Sequence, residues 1–170
     1  MSVTRIQTAV LLENMIPLHF TMQSADVSVF SIELGIMKDA PIVTAGTAYT
    51  SKTTDQTYII VFNEFLWYGS QMDHSLINPN QILAYGIPLW DNPFDPAHPT
   101  QIEVDNSIVV PLRGQGTKLQ FETRVPTWQE LNEGPHITMT SPLPWDPGNI
   151  TKSSQISCVQ CDGNVQPKVL

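Results

Sequence analysis

The sequence predicts a mainly β fold, a closed or partly closed β-barrel carrying one or two short helices. Three observations lead there. Short runs of β-branched and aromatic residues recur along the chain, the strongest being Tyr58-Ile59-Ile60-Val61-Phe62. Clusters with turn chemistry separate them: Ser51-Lys52-Thr53-Thr54-Asp55-Gln56, Asp91-Asn92-Pro93 and Asp105-Asn106. Only two segments carry helix-capping residues, and both are short. The 170 residues suit one β domain over residues 1–150, followed by a polar, aperiodic tail over 151–170 that is expected to be disordered.

Taken in order, residues 3–12 alternate loosely and end apolar, as a strand does. Residues 15–21 form a second strand, with Ile16, Leu18 and Phe20 on one face and His19 on the other. Pro17 cannot donate to a ladder, so this strand belongs at an edge. Val27 and Val29 alternate after it, and Gly35 breaks the run. Residues 42–67 read as a β-hairpin with a polar tip at 51–56. Its second strand opens with a run of β-formers long enough for a buried strand, and Gly69-Ser70 ends the apolar stretch.

Asn78 can cap a helix with its side-chain oxygen, and Pro79 suits the first helical position, where no amide is needed. Gly86 stands where a left-handed residue closes the last turn, so the spacing predicts a helix over residues 78–85. Residues 87–90 return to extended structure. Pro93, Pro96 and Pro99 then make residues 92–99 an irregular loop. Residues 101–104 and 108–112 flank Asp105-Asn106 as a hairpin. Gly114-Gln115-Gly116 reads as a turn leading into a strand over 118–124, with Leu119 and Phe121 on one face. Thr127-Trp128-Gln129-Glu130 is a capping box that opens a helix over 128–133, stopped by Gly134-Pro135. A last strand follows over residues 137–140.

Composition narrows the function. The formal charge is −8, and the eight basic residues are scattered, which argues against nucleic-acid contact through phosphates. Charged residues are only 14% of the chain, so a polar but uncharged surface or an oligomer interface is expected. No apolar run is long enough for a membrane helix, and the N-terminus lacks the apolar core of a signal peptide. An intracellular, cytoplasmic protein without membrane contact is therefore expected. Cys158 and Cys161 form a Cys-x-x-Cys without the second ligand pair of a structural zinc site, and read as an incidental tail pair. The histidines His19, His74, His98 and His136 are too scattered to suggest a metal site, and His74 beside Asp73 reads as structural. Gly114-x-Gly116 lacks the third glycine of a nucleotide loop, and no Gly-x-Ser-x-Gly occurs. No metal and no cofactor are expected. Trp67, Trp90, Trp128 and Trp145 are read as closing the core or a dimer surface rather than lining a ligand groove.

One stretch also carries a resemblance. Leu76-Ile77-Asn78-Pro79-Asn80-Gln81-Ile82, then Gly86 and Ile87, resembles the Leu-Leu-Ser-x-x-Gln-Leu-x-x-x-Gly segment of the retropepsin-like aspartic protease in copia-type LTR retrotransposon polyproteins. The chain is more similar still to a group of retroelement-derived open reading frames. That similarity runs through Pro41-Ile42-Val43-Thr44-Ala45, residues 58–64 and 72–81, Asp91-Asn92-Pro93, Pro135-His136-Ile137 and Pro144-Trp145-Asp146-Pro147, and so covers most of residues 1–150. It implies a retropepsin-like fold, a homodimer, a polyprotein or peptide substrate, and a flap whose counterpart is the polar tip at 51–56.

It also implies a catalytic residue that the chain lacks. An aspartic protease activates water between two carboxylates sharing one proton, one from each subunit of a retropepsin dimer. No Asp here opens an Asp-Ser-Gly or Asp-Thr-Gly. The resembling frames carry Asp-Ser-x-Ala-Asp-Thr before the segment matching Asn14 and Pro17. Counted back without gaps, their two acids fall on Val3 and Gln7 and their Ser on Thr4, while Thr8, Val10 and Asn14 are kept. Either the true start lies upstream and was replaced at a boundary, or the copy has decayed; both leave this chain without a catalytic residue to assign. The expectation is a retropepsin-like domain without protease activity. A non-enzymatic β scaffold or self-association module and a small-ligand-binding β-barrel are the alternatives.

Overall fold

A long hairpin occupies the middle of the molecule. In the computed structural model, which describes residues 10–12, 14–27, 37–69, 75–106, 108–115 and 118–146, strands β3 (Met37–Thr50) and β4 (Thr57–Leu66) pair antiparallel from Thr50↔Thr57 down to Ile42↔Leu66. β2 (Ile16–Val27) lies antiparallel against β3, and β11 (His136–Thr138) lies parallel to β4, giving the order β11-β4-β3-β2. β4 is therefore interior, and Ile59, Ile60, Val61 and Phe62 are all buried. Val61 and Ile59 face a small cluster with Ala48 and Leu131, while Ile60 and Phe62 face the main core. An apolar run without alternation suits a strand covered on both faces.

A second sheet has the order β5-β1-β10-β9, formed by β5 (Ser75–Ile77), β1 (Val10–Leu12), β10 (Lys118–Gln120) and β9 (Arg113–Gln115). β1 runs antiparallel to β5 and parallel to β10. A third sheet is the meander β6 (Leu89–Trp90), β7 (Gln101–Glu103) and β8 (Val109–Pro111). One apolar core serves all three sheets: Val43 and Phe62 from the first, with Met139 just past β11, Ile77 and Leu119 from the second, Ile102 and Val110 from the third. Tyr49 crosses between sheets, its hydroxyl donating to the Val109 carbonyl at 3.1 Å and its ring meeting Phe121 edge-on. Burial and the nearby Glu122 raise the Tyr49 pKa.

Helix α1 (Pro79–Ala84) packs Ile82, fully buried, into this core. Helix α2 (Trp128–Glu133) has no buried residue and lies on the outer face, where Leu131 leans on Ala48, Ile59 and Val61.

Several expectations change. The strands are mainly β with two short helices, but among the described residues the three sheets are open and no closed barrel forms. β2 is an edge strand, as Pro17 requires, yet its faces are not the expected ones. Pro17 pairs with Ala45 and His19 with Thr44, so Leu18 is an extra residue in a bulge. The bulge puts Ile16 and His19 on one face and Phe20 on the other. Leu18, Phe20 and Met22 are all exposed, Met22 fully. Gly114 and Gln115 are not a turn: they belong to β9, which pairs with β10. The expected tail over residues 151–170, with Cys158 and Cys161, lies outside the described residues.

Candidate functional site

The positions matched to the two family acids, Val3 and Gln7, lie outside the described residues, as do Thr4, Thr8 and Glu13. From Val10 the chain runs as β1 in the second sheet, between two partners. Asn14 turns it into β2 with a left-handed φ of 63°, a conformation that Asn tolerates better than most residues. Its Nδ2 donates to the Thr123 carbonyl at 3.0 Å. The buried Thr47 hydroxyl faces the carbonyls of both Asn14 (3.3 Å) and Arg124 (3.1 Å). The exit of β1 is thus tied to the hairpin and to the segment after β10.

The polar tip at residues 51–56 is more firmly anchored than its composition suggests. Residues 52–56 are exposed, but Ser51 is buried. Its Oγ accepts from the amides of Thr53 (3.3 Å) and Thr54 (3.4 Å), and its carbonyl accepts from Asp55. Lys52 reaches Glu122 at 3.3 Å, and Ala48 bridges to Arg124 below the tip.

The described histidines do not converge. His19 is exposed, and His136 lies at the surface with Nδ1 2.9 Å from the Gly134 carbonyl. His98 stacks on Trp90 with ring centres 3.7 Å apart, and its Nδ1 sits 3.2 Å from Asp95. The Ala97 amide first, and then His98, hold the Asp95 carboxyl below its ordinary pKa. Asp73 and His74 lie outside the described residues, among which no group of three His, Cys, Asp or Glu could hold a metal ion. Of the tryptophans, Trp67 packs against the core. Trp128 is 81% exposed and closes no part of it.

Residues that carry the most local chemistry were not singled out by their sequence. Opposite Val43 and Ala45, β4 uses Phe65 and Phe62, so it has one residue too many, and Glu64 takes a φ of 53°. Such a conformation costs a non-glycine residue about 1–3 kcal/mol. The adjacent Asn63 is clamped to the buried Thr140. The Asn63 amide donates to Thr140 Oγ1 (2.7 Å), that hydroxyl donates to the Asn63 carbonyl (2.9 Å), and Asn63 Nδ2 donates to the Thr140 carbonyl (3.0 Å). Thr44 Oγ1 donates to Asn63 Oδ1 at 3.0 Å. Four bonds at about 1 kcal/mol each are enough to hold the strained turn. The usable sequence signal was the polar pair Asn63-Glu64 interrupting two apolar runs, which marks a bulge.

The bulge opens a pocket between β4, α1 and the segment after β11. Glu64, Gln81, Tyr85, Ser141, Leu143 and Trp145 line it. Gln81 Nε2 donates to the Glu64 carbonyl, and the Trp145 amide donates to Glu64 Oε2, each at 3.4 Å. Comparison with protein-family models, curated proteins and solved structures gives no match. No helix among the described residues is long and apolar enough to cross a membrane.

Proposed function

We propose that the chain is a retropepsin-like domain of copia-type retroelement origin that does not cleave peptides by the aspartic mechanism. It acts as a homodimeric, non-enzymatic β module inside the cell, with no nucleic-acid or membrane contact of its own. The observation that carries this reading is the missing acid. The mechanism needs an Asp from each subunit, presented on a tight turn so that two carboxylates can share one proton. Between Met1 and Gln23 the one acid is Glu13, with no glycine beside it.

Three features support the retropepsin-like part. β4 is followed by β5, α1, Gly86 and β6, the order of elements that the resembling segment implies. The hairpin carries an exposed polar tip, the flap counterpart. Three open sheets share one core, as in a partly closed barrel. The homodimer is supported by the low charge and by Leu18, Phe20 and Met22 exposed along the edge strand β2.

Digestion of a peptide library near about pH 5, with and without a transition-state inhibitor of aspartic proteases, tests the reading. No inhibitor-sensitive cleavage is expected from the chain, and Val3→Asp with Gln7→Asp is the minimum change that could introduce it. Inhibitor-sensitive cleavage by the unaltered chain would overturn it. Sedimentation at micromolar concentration that finds only monomer would remove the dimer.

A further inference from the structure

The pocket at the β4 bulge does not depend on the retropepsin-like reading. Its one charged lining group is Glu64. The described Lys and Arg side chains with ion pairs go elsewhere: Lys52 and Arg113 to Glu122, and Arg124 to Glu130. Among the described residues the Glu64 carboxylate receives only the long bond from the Trp145 amide, which leaves Oε1 and most of the acceptor capacity of Oε2 open to them. Beside the carboxylate stand two aromatic residues, Trp145 and Tyr85, both half-buried, and the apolar Leu143. The cavity is about 50 Å³. Small-molecule sites usually run to roughly 300–1,000 Å³, so this one fits the head of a single side chain rather than a whole ligand.

The backbone gives a second reason to look here. A left-handed position in a bulge suits glycine, which would relieve the strain at residue 64. A glutamate there costs stability and supplies only a carboxylate to the pocket. Strained backbone held by a surrounding clamp is a recurrent mark of binding sites.

The geometry points to a binding site for an arginine side chain of a partner polypeptide, with the guanidinium forked on Glu64 and laid against Trp145 and Tyr85. Guanidinium fits better than ammonium on three counts. It is planar, it bonds a carboxylate with two parallel N–H groups, and it is weakly enough hydrated to lie on an aromatic face. The net charge of −8 draws such a partner toward the surface.

The test uses the full chain, labelled with ¹⁵N, and the capped tripeptide acetyl-Gly-Arg-Gly-amide. The Trp145 indole N–H signal is assigned by its loss in Trp145→Phe. The expected result is a saturable shift of that signal and of the Glu64 amide. The citrulline peptide, of the same shape without charge, and the lysine peptide should each bind about tenfold more weakly or worse. Glu64→Gln should weaken the arginine peptide to the same degree. Glu64→Gly should also lose binding while unfolding at the same or a higher temperature than the parent, which separates lost recognition from lost fold. Equal binding of the arginine and citrulline peptides, undiminished binding by Glu64→Gln, or no saturable shift would each overturn the proposal. A lysine peptide that binds as well as arginine would overturn the guanidinium assignment.

Discussion

Helices α1 and α2 each run six residues, and each begins at a side-chain cap, yet one is held from beneath and the other from its ends. In α1, Asn78 Oδ1 accepts from the Asn80 amide. At the far end, Gly86, with φ of 92°, sends its amide to the Leu83 carbonyl, and Ile87 sends its own to Ile82. That pair of bonds closes the helix, and Ile82 and Ile87 then meet in the core. In α2 no residue is buried. Thr127 and Glu130 cap each other, and Arg124 grips the Glu130 carboxylate with both terminal nitrogens. Gly134 ends this helix for a steric reason: a Cβ there would stand 2.5 Å from the Glu130 carbonyl oxygen. Helices this short are unstable alone. The contrast teaches that one can be recruited by burial, or by a cap joined to an ion pair at a protein surface.

The largest effect should come from removing what burial supplies. Ile82→Ala should destabilise the protein by about 2–5 kcal/mol in urea unfolding, because the site is fully enclosed. A loss below about 1 kcal/mol would mean that α1 is held by its caps, as α2 is.

An intermediate effect should follow acidification, and only at α2. Arg124 first, and then the Thr127 amide, lower the Glu130 pKa from 4.5 to about 2. A depressed carboxyl contributes stability above its unfolded pKa and loses it as pH falls through the folded one. Amide exchange in α2, corrected for the intrinsic pH dependence of the rate, should therefore accelerate between pH 4.5 and about 2. Helix α1, with no acidic residue in its first turn and no basic one in its last, should show no such step of its own. Equal acceleration in both helices would mean that global unfolding, rather than this ion pair, sets the exchange.

The smallest effect should come from Trp128→Ala. Trp128 is the largest side chain on α2 but is 81% exposed. Stability should change by no more than about 0.5 kcal/mol. A larger loss that appears only at concentrations where the chain self-associates would place Trp128 in an interface.

What the sequence by itself determined is local. Asn78, Pro79 and Gly86 marked α1, and Thr127, Glu130 and Gly134-Pro135 marked α2, because a cap needs particular residues within four or five positions. The hairpins around residues 51–56 and around Asp105-Asn106 were legible for the same reason, as was the edge position of β2 from Pro17. Only the tertiary structure decided which distant strands meet. β1 lies parallel to β10 across more than a hundred residues, and β11 lies parallel to β4 after a shorter but still long excursion. Such pairings are selected by the total apolar area they bury, which no short window of sequence records. The pocket was beyond reach for the same reason. Glu64 becomes a candidate ligand only when Thr140, 76 positions later, clamps Asn63 and brings Trp145 beside it.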